Sequence, residues 1–237
     1  MLEEVTSLIN VPQSGDTSSW TVAEAAIVGA VWYTSSLLLL LLSMFAVYSI
    51  PSLHSILHFY QLDTILPAFF GVLGGILFAG PLVMWIVRRR KVVSLQESIR
   101  WVCSNSRFGW AFLIGFASGI SYSLAKSALV GRGYQTEAPW YIAAFVVLAG
   151  LAEPLVEEIY FRGILFTALA RRLGKVTSIV VVTLLFSLGH PTQFLTVLPV
   201  AVVLGGVRLY TGSVKACFAC HVAYNVSLVL FMFPINL

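Results

Sequence analysis

Charge is what this 237-residue chain has least of: Asp, Glu, Lys and Arg together make up 10% of it, against 59% hydrophobic residues. At a mean hydropathy of +0.92 a water-soluble domain is excluded, because such a domain has about a quarter of its residues charged. Cysteine is scarce too. Cys103, Cys217 and Cys220 are too few, and odd in number, for a disulfide framework. The polar stretch 1–24 lacks the basic segment, short apolar run and small-residue cleavage site of a secretory leader, and reads as an N-terminal tail. Missing as well is a His-Glu-x-x-His signature: His54 and His58 have its separation, but HSILH carries no glutamate, which favours an interfacial pair over a metal site.

What the chain does have is long apolar runs. They cover 25–50, 64–87, 108–130, a stretch from 140 through LAEPLVEEIYFRGILFTALARR, then 176–190, 194–210 and 214–234. A crossing takes ~20 residues, so the expected fold is an all-α polytopic transmembrane helical bundle with about seven spans (six to eight). One integral membrane domain, 1–237, is expected, with no internal repeat or linker. The net charge of +4 sits mostly in short connections, where it orients spans in a bilayer and gives no footing for nucleic acid. RRRK at 88–91, then Arg171, Arg172 and Lys175, and Arg208 with Lys215 in the connection between the last two runs, mark the cytoplasmic side. Alternating the crossings puts the N-terminus inside and the C-terminus outside. Residues 51–63 are expected at the opposite interface. Residues 92–106 read as a cytoplasmic amphipathic helix, with Leu95, Ile99 and Val102 at helical spacing.

An ionised side chain inside a span costs at least ~2.5–3.5 kcal/mol, so the few that occur are informative. They are Glu153, Glu157, Glu158 and Arg162 in the fourth run and His190 at the end of the fifth; the seventh holds His221 with the polar Asn225. Glu158 and Arg162 are four apart with the acid first, the arrangement that pairs along one helix face. Glu157 precedes Glu158 by one residue and is turned ~100° away from that pair. Pro154 lacks an N–H and suits a first helical turn, so a break near the acids is expected. His221 and Asn225 share a face and supply N–H donors suited to an oxyanion. His190 lies one turn after Phe186 and just before Pro191, which places it at a helix end. A Glu–Arg pair alone also serves helix packing, and a lone buried histidine a simple hydrogen bond. The two adjacent acids Glu157 and Glu158, an arginine, two histidines and an asparagine together exceed what packing asks.

These residues resemble the CAAX-type prenyl-protein endopeptidases and their bacterial relatives, the CPBP or Abi family of intramembrane proteases. EEIYFRG, from Glu157 to Gly163, is similar to the family's Glu-Glu-x-x-x-Arg motif; FSLGH ending at His190 to Phe-x-x-x-His; HVAYN, His221 to Asn225, to His-x-x-x-Asn. The ordered triple covers a core of about 140–234 and is far more specific than any one motif. Glu153 departs from the family pattern, which often has a small apolar residue there. The resemblance implies peptide-bond hydrolysis near the C-terminus of a prenylated or other protein substrate, in a bacterial cell membrane or an endoplasmic-reticulum-type membrane. Glu157 would activate water with help from His190, His221 and Asn225 would stabilise the oxyanion, and Glu158 and Arg162 would support the site. No cofactor is expected; if zinc is used, Glu157, His190 and His221 are its ligands. The alternative is a non-proteolytic binding relative, a bacteriocin-immunity or scaffold protein. CFACH, from Cys217 to His221, has the spacing of haem attachment, but it falls within a span and shares His221 with the third motif, so no haem is expected.

Overall fold

The computed structural model describes residues 20–59, 63, 65–89, 95–130 and 147–232. Among these there are helices and short connections and no strand, as a bilayer requires of a backbone that must satisfy its own hydrogen bonds. Helix α1 is Val22–Ser49, opened by a capping box in which the Thr21 hydroxyl accepts from the Glu24 N–H and the Glu24 carboxylate accepts from the Thr21 N–H at 2.8 Å. Such a cap is worth about 1 kcal/mol. Trp20, just ahead of it, is fully buried, so residues 20–24, polar enough to read as tail, start the first helix. Its leucine-rich middle is exposed on the bare chain, the state expected of a lipid-facing surface.

Short helix α2, Pro51–Phe59, follows, then α3, Ile65–Arg89. Helices α1 and α3 lie side by side, because glycines let them close up: a Cβ on Gly74 would stand 2.7 Å from the Ser35 carbonyl oxygen, and one on Gly75 would run into the Trp32 ring. Of the amphipathic helix expected over 92–106, the described residues form one turn, α4, Leu95–Ser98, followed by a non-helical stretch over 101–104. Arg100 at φ 57° ends that turn in the left-handed region, with the Trp101 N–H reaching back to the Gln96 carbonyl at 2.7 Å. Ile99 is buried and Val102 exposed, so the two do not share a face.

Helix α5, Asn105–Val130, packs along the last helix, α9, Val214–Met232. Between them come α6, α7 (Lys175–Leu188) and α8 (Phe194–Thr211), with a 3-10 turn at Pro191–Gln193. Helix α6 is one right-handed run of alternating pitch: a π segment Leu148–Ala152, an α segment Glu153–Glu157, a second π segment Glu158–Leu165 and an α segment Phe166–Leu173.

Among the described residues, four helices are long and apolar enough to cross a membrane by length and composition: α1, α3, α5 and α8. Helix α7 and residues Val214–Leu230 of α9 are apolar but shorter, and α6 carries the embedded charges. The chain is thus an all-α, multi-pass membrane bundle, with four of the expected spans meeting that criterion. One apolar cluster joins α1, α6 and α7 around Trp20, Phe161, Ile164 and Phe186; another joins α5, α8 and α9 around Leu204, Cys217, Cys220 and Tyr224. Val197 packs against both.

Candidate active site

The site is built on the change of pitch in α6. Pro154 has no N–H to give, and the ladder around it shifts to longer rings: the Glu153 N–H reaches the Leu148 carbonyl, and the Phe166 N–H that of Phe161. Each π turn takes up an extra residue and so rotates the helix beyond it. Glu157 closes the α segment, and Glu158 opens the second π segment.

Glu158 and Arg162 are fully buried. Arg162 Nη1 donates to Glu158 Oε1 at 3.0 Å, the pairing that the four-residue spacing predicts. The same oxygen lies 2.9 Å from Nδ1 of His221 on α9, so one carboxylate oxygen ties two helices together. Arg162 also sits over the Phe186 ring, 4.3 Å from its centroid, a cation–π contact that gains strength away from water. Among the described residues Glu158 Oε2 and Arg162 Nε and Nη2 have no protein partner.

His190 lies two residues past the end of α7, at the start of the 3-10 turn, the helix-end position expected of it. Its Nδ1 lies 3.0 Å from the Phe186 carbonyl, which only accepts, so Nδ1 carries the proton and Nε2 is turned outward. That Nε2 is 3.6 Å from Glu157 Oε1, while His221 Nε2 is 3.9 Å from Glu157 Oε2. The two carboxylate oxygens of Glu157 therefore face one imidazole each. Both separations exceed a direct hydrogen bond and leave room for an oxygen bonded to carboxylate and imidazole together. The Glu157 side chain is 15% exposed and that of His190 34%, so the group opens on the His190 side. Asn225 is half-buried one turn beyond His221 on α9, and Glu153, half-buried too, opens the segment that Glu157 ends.

Several residues of this neighbourhood were not singled out from sequence. Helix α1 supplies a wall: Tyr160 packs over Gly29, sends its hydroxyl to the Ala25 carbonyl at 3.3 Å and meets the Trp32 ring at 5.2 Å, while the Tyr33 hydroxyl abuts Gly189 next to His190. Arg208, read from sequence as a topogenic charge in a connection, is instead buried in the last turn of α8. It donates from Nε to the Arg162 carbonyl at 2.9 Å and stacks on Phe166, holding the second π segment from outside. The available signal was an arginine inside an apolar run. Cys217 and Cys220 are buried and unpaired in the α5–α8–α9 cluster, the packing role expected of them. His54 and His58 lie on α2, away from this group.

Zinc would have to be held by Glu157, His190 and His221. Among the described residues, however, the one trio of His, Cys, Asp or Glu with ligand atoms within 4.8 Å of one another is His54, His58 and Asp63. As placed, the Glu157 trio is spread wider than an ion with bonds of about 2.0–2.1 Å can span.

No curated protein and no solved structure matches the chain. A family does: residues 139–227 match the one described as Type II CAAX prenyl endopeptidase Rce1-like. The stretch that holds Glu157, Glu158, Arg162, His190, His221 and Asn225 is therefore similar to that family of membrane endopeptidases, and the resemblance carried by the three motifs stands.

Proposed function

We propose that the chain is an intramembrane endopeptidase in which Glu157 activates water for attack on a peptide bond. The observation that carries the reading is the placement of the Glu157 carboxylate between two imidazole Nε2 atoms, at 3.6 and 3.9 Å. Water bonded to Glu157 and His190 loses its proton to Glu157 as its oxygen adds to the scissile carbonyl. The carbonyl oxygen becomes an oxyanion beside His221 and Asn225. Collapse of the tetrahedral intermediate expels the amine, which takes the proton from Glu157.

His221 has a stated requirement in this scheme. Its Nδ1 faces the Glu158 carboxylate, so Nδ1 carries a proton, and in neutral imidazole Nε2 would then be an acceptor. To donate to the oxyanion, Nε2 must therefore carry a proton as well. Arg162 holds the Glu158 carboxylate in place at 3.0 Å. This reading gives no metal a step.

The substrate class is a protein or peptide, and the match to a CAAX prenyl endopeptidase family makes a prenylated C-terminus the first candidate. Arg88, Arg89, Arg171 and Arg172 close α3 and α6, which supports a cytoplasmic placement of both ends and of the N-terminus. The test is cleavage of a fluorogenic farnesylated CAAX peptide by full-length protein, wild type beside Glu157→Ala, with and without a strong chelator. Cleavage abolished in the variant and indifferent to chelator is expected. Cleavage that dies with chelator and returns with zinc would overturn the metal-free step, and full cleavage by Glu157→Ala the assignment of the base. A Glu157→Gln protein that keeps its cellular role would instead mark the chamber as a binding site.

A further inference from the structure

His54 and His58 stand one turn apart on α2 with their rings stacked, centroids 5.8 Å and planes 24° apart. After the helix ends at Phe59, Asp63 returns to them: its Oδ2 lies 2.9 Å from His58 Nδ1. One ligand atom from each of the three falls within 4.8 Å of the other two. The group belongs to no part of the site above. Along α1, Gly29 beneath Tyr160 and Ser49 at the entry to α2 are separated by about 30 Å, at 1.5 Å per residue.

We propose that His54, His58 and Asp63 form a binding site for a divalent cation of the zinc type at the end of the α1–α3 pair remote from Glu157. Two imidazoles and a carboxylate are the donors that suit such an ion, with the fourth position left to solvent. In a tetrahedron with bonds of ~2.0 Å, neighbouring ligand atoms are roughly 3.3 Å apart. The His58 and Asp63 atoms, joined by a hydrogen bond at 2.9 Å, would open to that edge length as the ion displaces the bonding proton. The widest separation in the group is at most 4.8 Å, and binding requires it to close to the same value. Access is open on one side and closed on the other: the His58 side chain is 74% exposed and that of Asp63 12%. The four-residue spacing of the histidines puts both on one face of a short helix, so α2 presents a chelating pair, and Asp63 adds the third ligand from the connection into α3. A bound ion would fasten α2 to that connection.

The test uses full-length protein in detergent, stripped with chelator and titrated with Zn²⁺ by calorimetry and with Co²⁺ by visible absorption. Wild type and Glu157→Gln are expected to take up one equivalent with the absorption of a tetrahedral site. In His54→Ala/His58→Ala binding should weaken by more than about a hundredfold, and in Asp63→Asn by about tenfold. Zinc should raise the melting temperature of wild type and not that of the double variant. Should the alanine pair fail to fold, His54→Gln/His58→Gln, which keeps polar side chains at both positions, carries the same expectation. The proposal is overturned by three results: a wild type that binds no zinc, binding unchanged in both histidine double variants, or binding lost in Glu157→Gln and kept without His54 and His58.

Discussion

His221 and Arg162 meet on a single atom: Glu158 Oε1 lies 2.9 Å from the imidazole Nδ1 and 3.0 Å from the guanidinium Nη1. A carboxylate fully out of water holds a cation on its own helix and an imidazole on another. Removing its charge leaves Arg162 buried and unpaired, and frees His221 to rotate. Glu158→Gln is therefore expected to lose about 3–5 kcal/mol of stability and 10- to 100-fold in kcat. Thermal unfolding and peptide-cleavage kinetics on the same preparation check both parts; a kcat deficit at unchanged melting temperature would show that the pair does not support the fold.

His190 invites the opposite expectation. It lies at a helix end with its side chain about one-third exposed, so truncation costs the fold little. His190→Ala should change stability by under about 1 kcal/mol while lowering kcat by roughly 10²–10⁴-fold. A variant with normal kcat and raised KM would move His190 from water activation to substrate binding.

Arg208 separates two accounts of one residue. If it only oriented α8 in the bilayer, its removal would leave the folded protein as stable as before. Because Nε meets the Arg162 carbonyl at 2.9 Å in a buried setting, Arg208→Leu is expected to cost about 1–3 kcal/mol through loss of a buried hydrogen bond from a charged donor. It should also lower kcat, since that carbonyl lies in the π segment that carries Glu158. Equal melting temperatures for variant and wild type would refute the tie.

Helix α9, which carries His221 and Asn225, depends on two glycines of α5. A Cβ at Gly115 would enter the Cys220 carbonyl, and one at Gly119 would approach the Tyr224 carbonyl oxygen to 2.7 Å. Gly115→Val should abolish folded, active protein as judged by monodisperse purification and cleavage. Gly109, on the same helix, has nothing within 4 Å of such a Cβ, so Gly109→Ala should keep activity and gain about 0.5–1 kcal/mol.

The helices were legible where the bilayer itself sets the rules. Apolar runs at 108–130, 194–210 and 214–234 correspond to α5, α8 and α9 within a few residues, because a backbone in lipid has few alternatives to a helix. The Glu158–Arg162 pair was legible for a related reason, since a charge in a span must find a partner within a turn. Pitch was not legible: a π turn uses the same residue types as an α turn, and Pro154 signals a break without fixing its form. The link from Glu158 to His221 spans 63 residues, and local periodicity carries no trace of it. The Arg100 turn was missed because a left-handed arginine has no compositional mark. Arg208 was misplaced because counting charges by side ignores that a membrane arginine can be buried against protein.

Helix α1 packs Trp32 and Tyr33 against the elements that hold Glu157 and His190, yet it lies wholly outside residues 139–227. The polypeptide thus divides its labour. One half holds Glu157, Glu158, His190 and His221; the other supplies part of the wall around them. Under the proposed function, exchanging α1 between two such proteins, with Glu157, His190 and His221 untouched, would be expected to alter which polypeptides gain entry while sparing the bond-breaking step. Selectivity would then drift in the segment that the motifs do not reach.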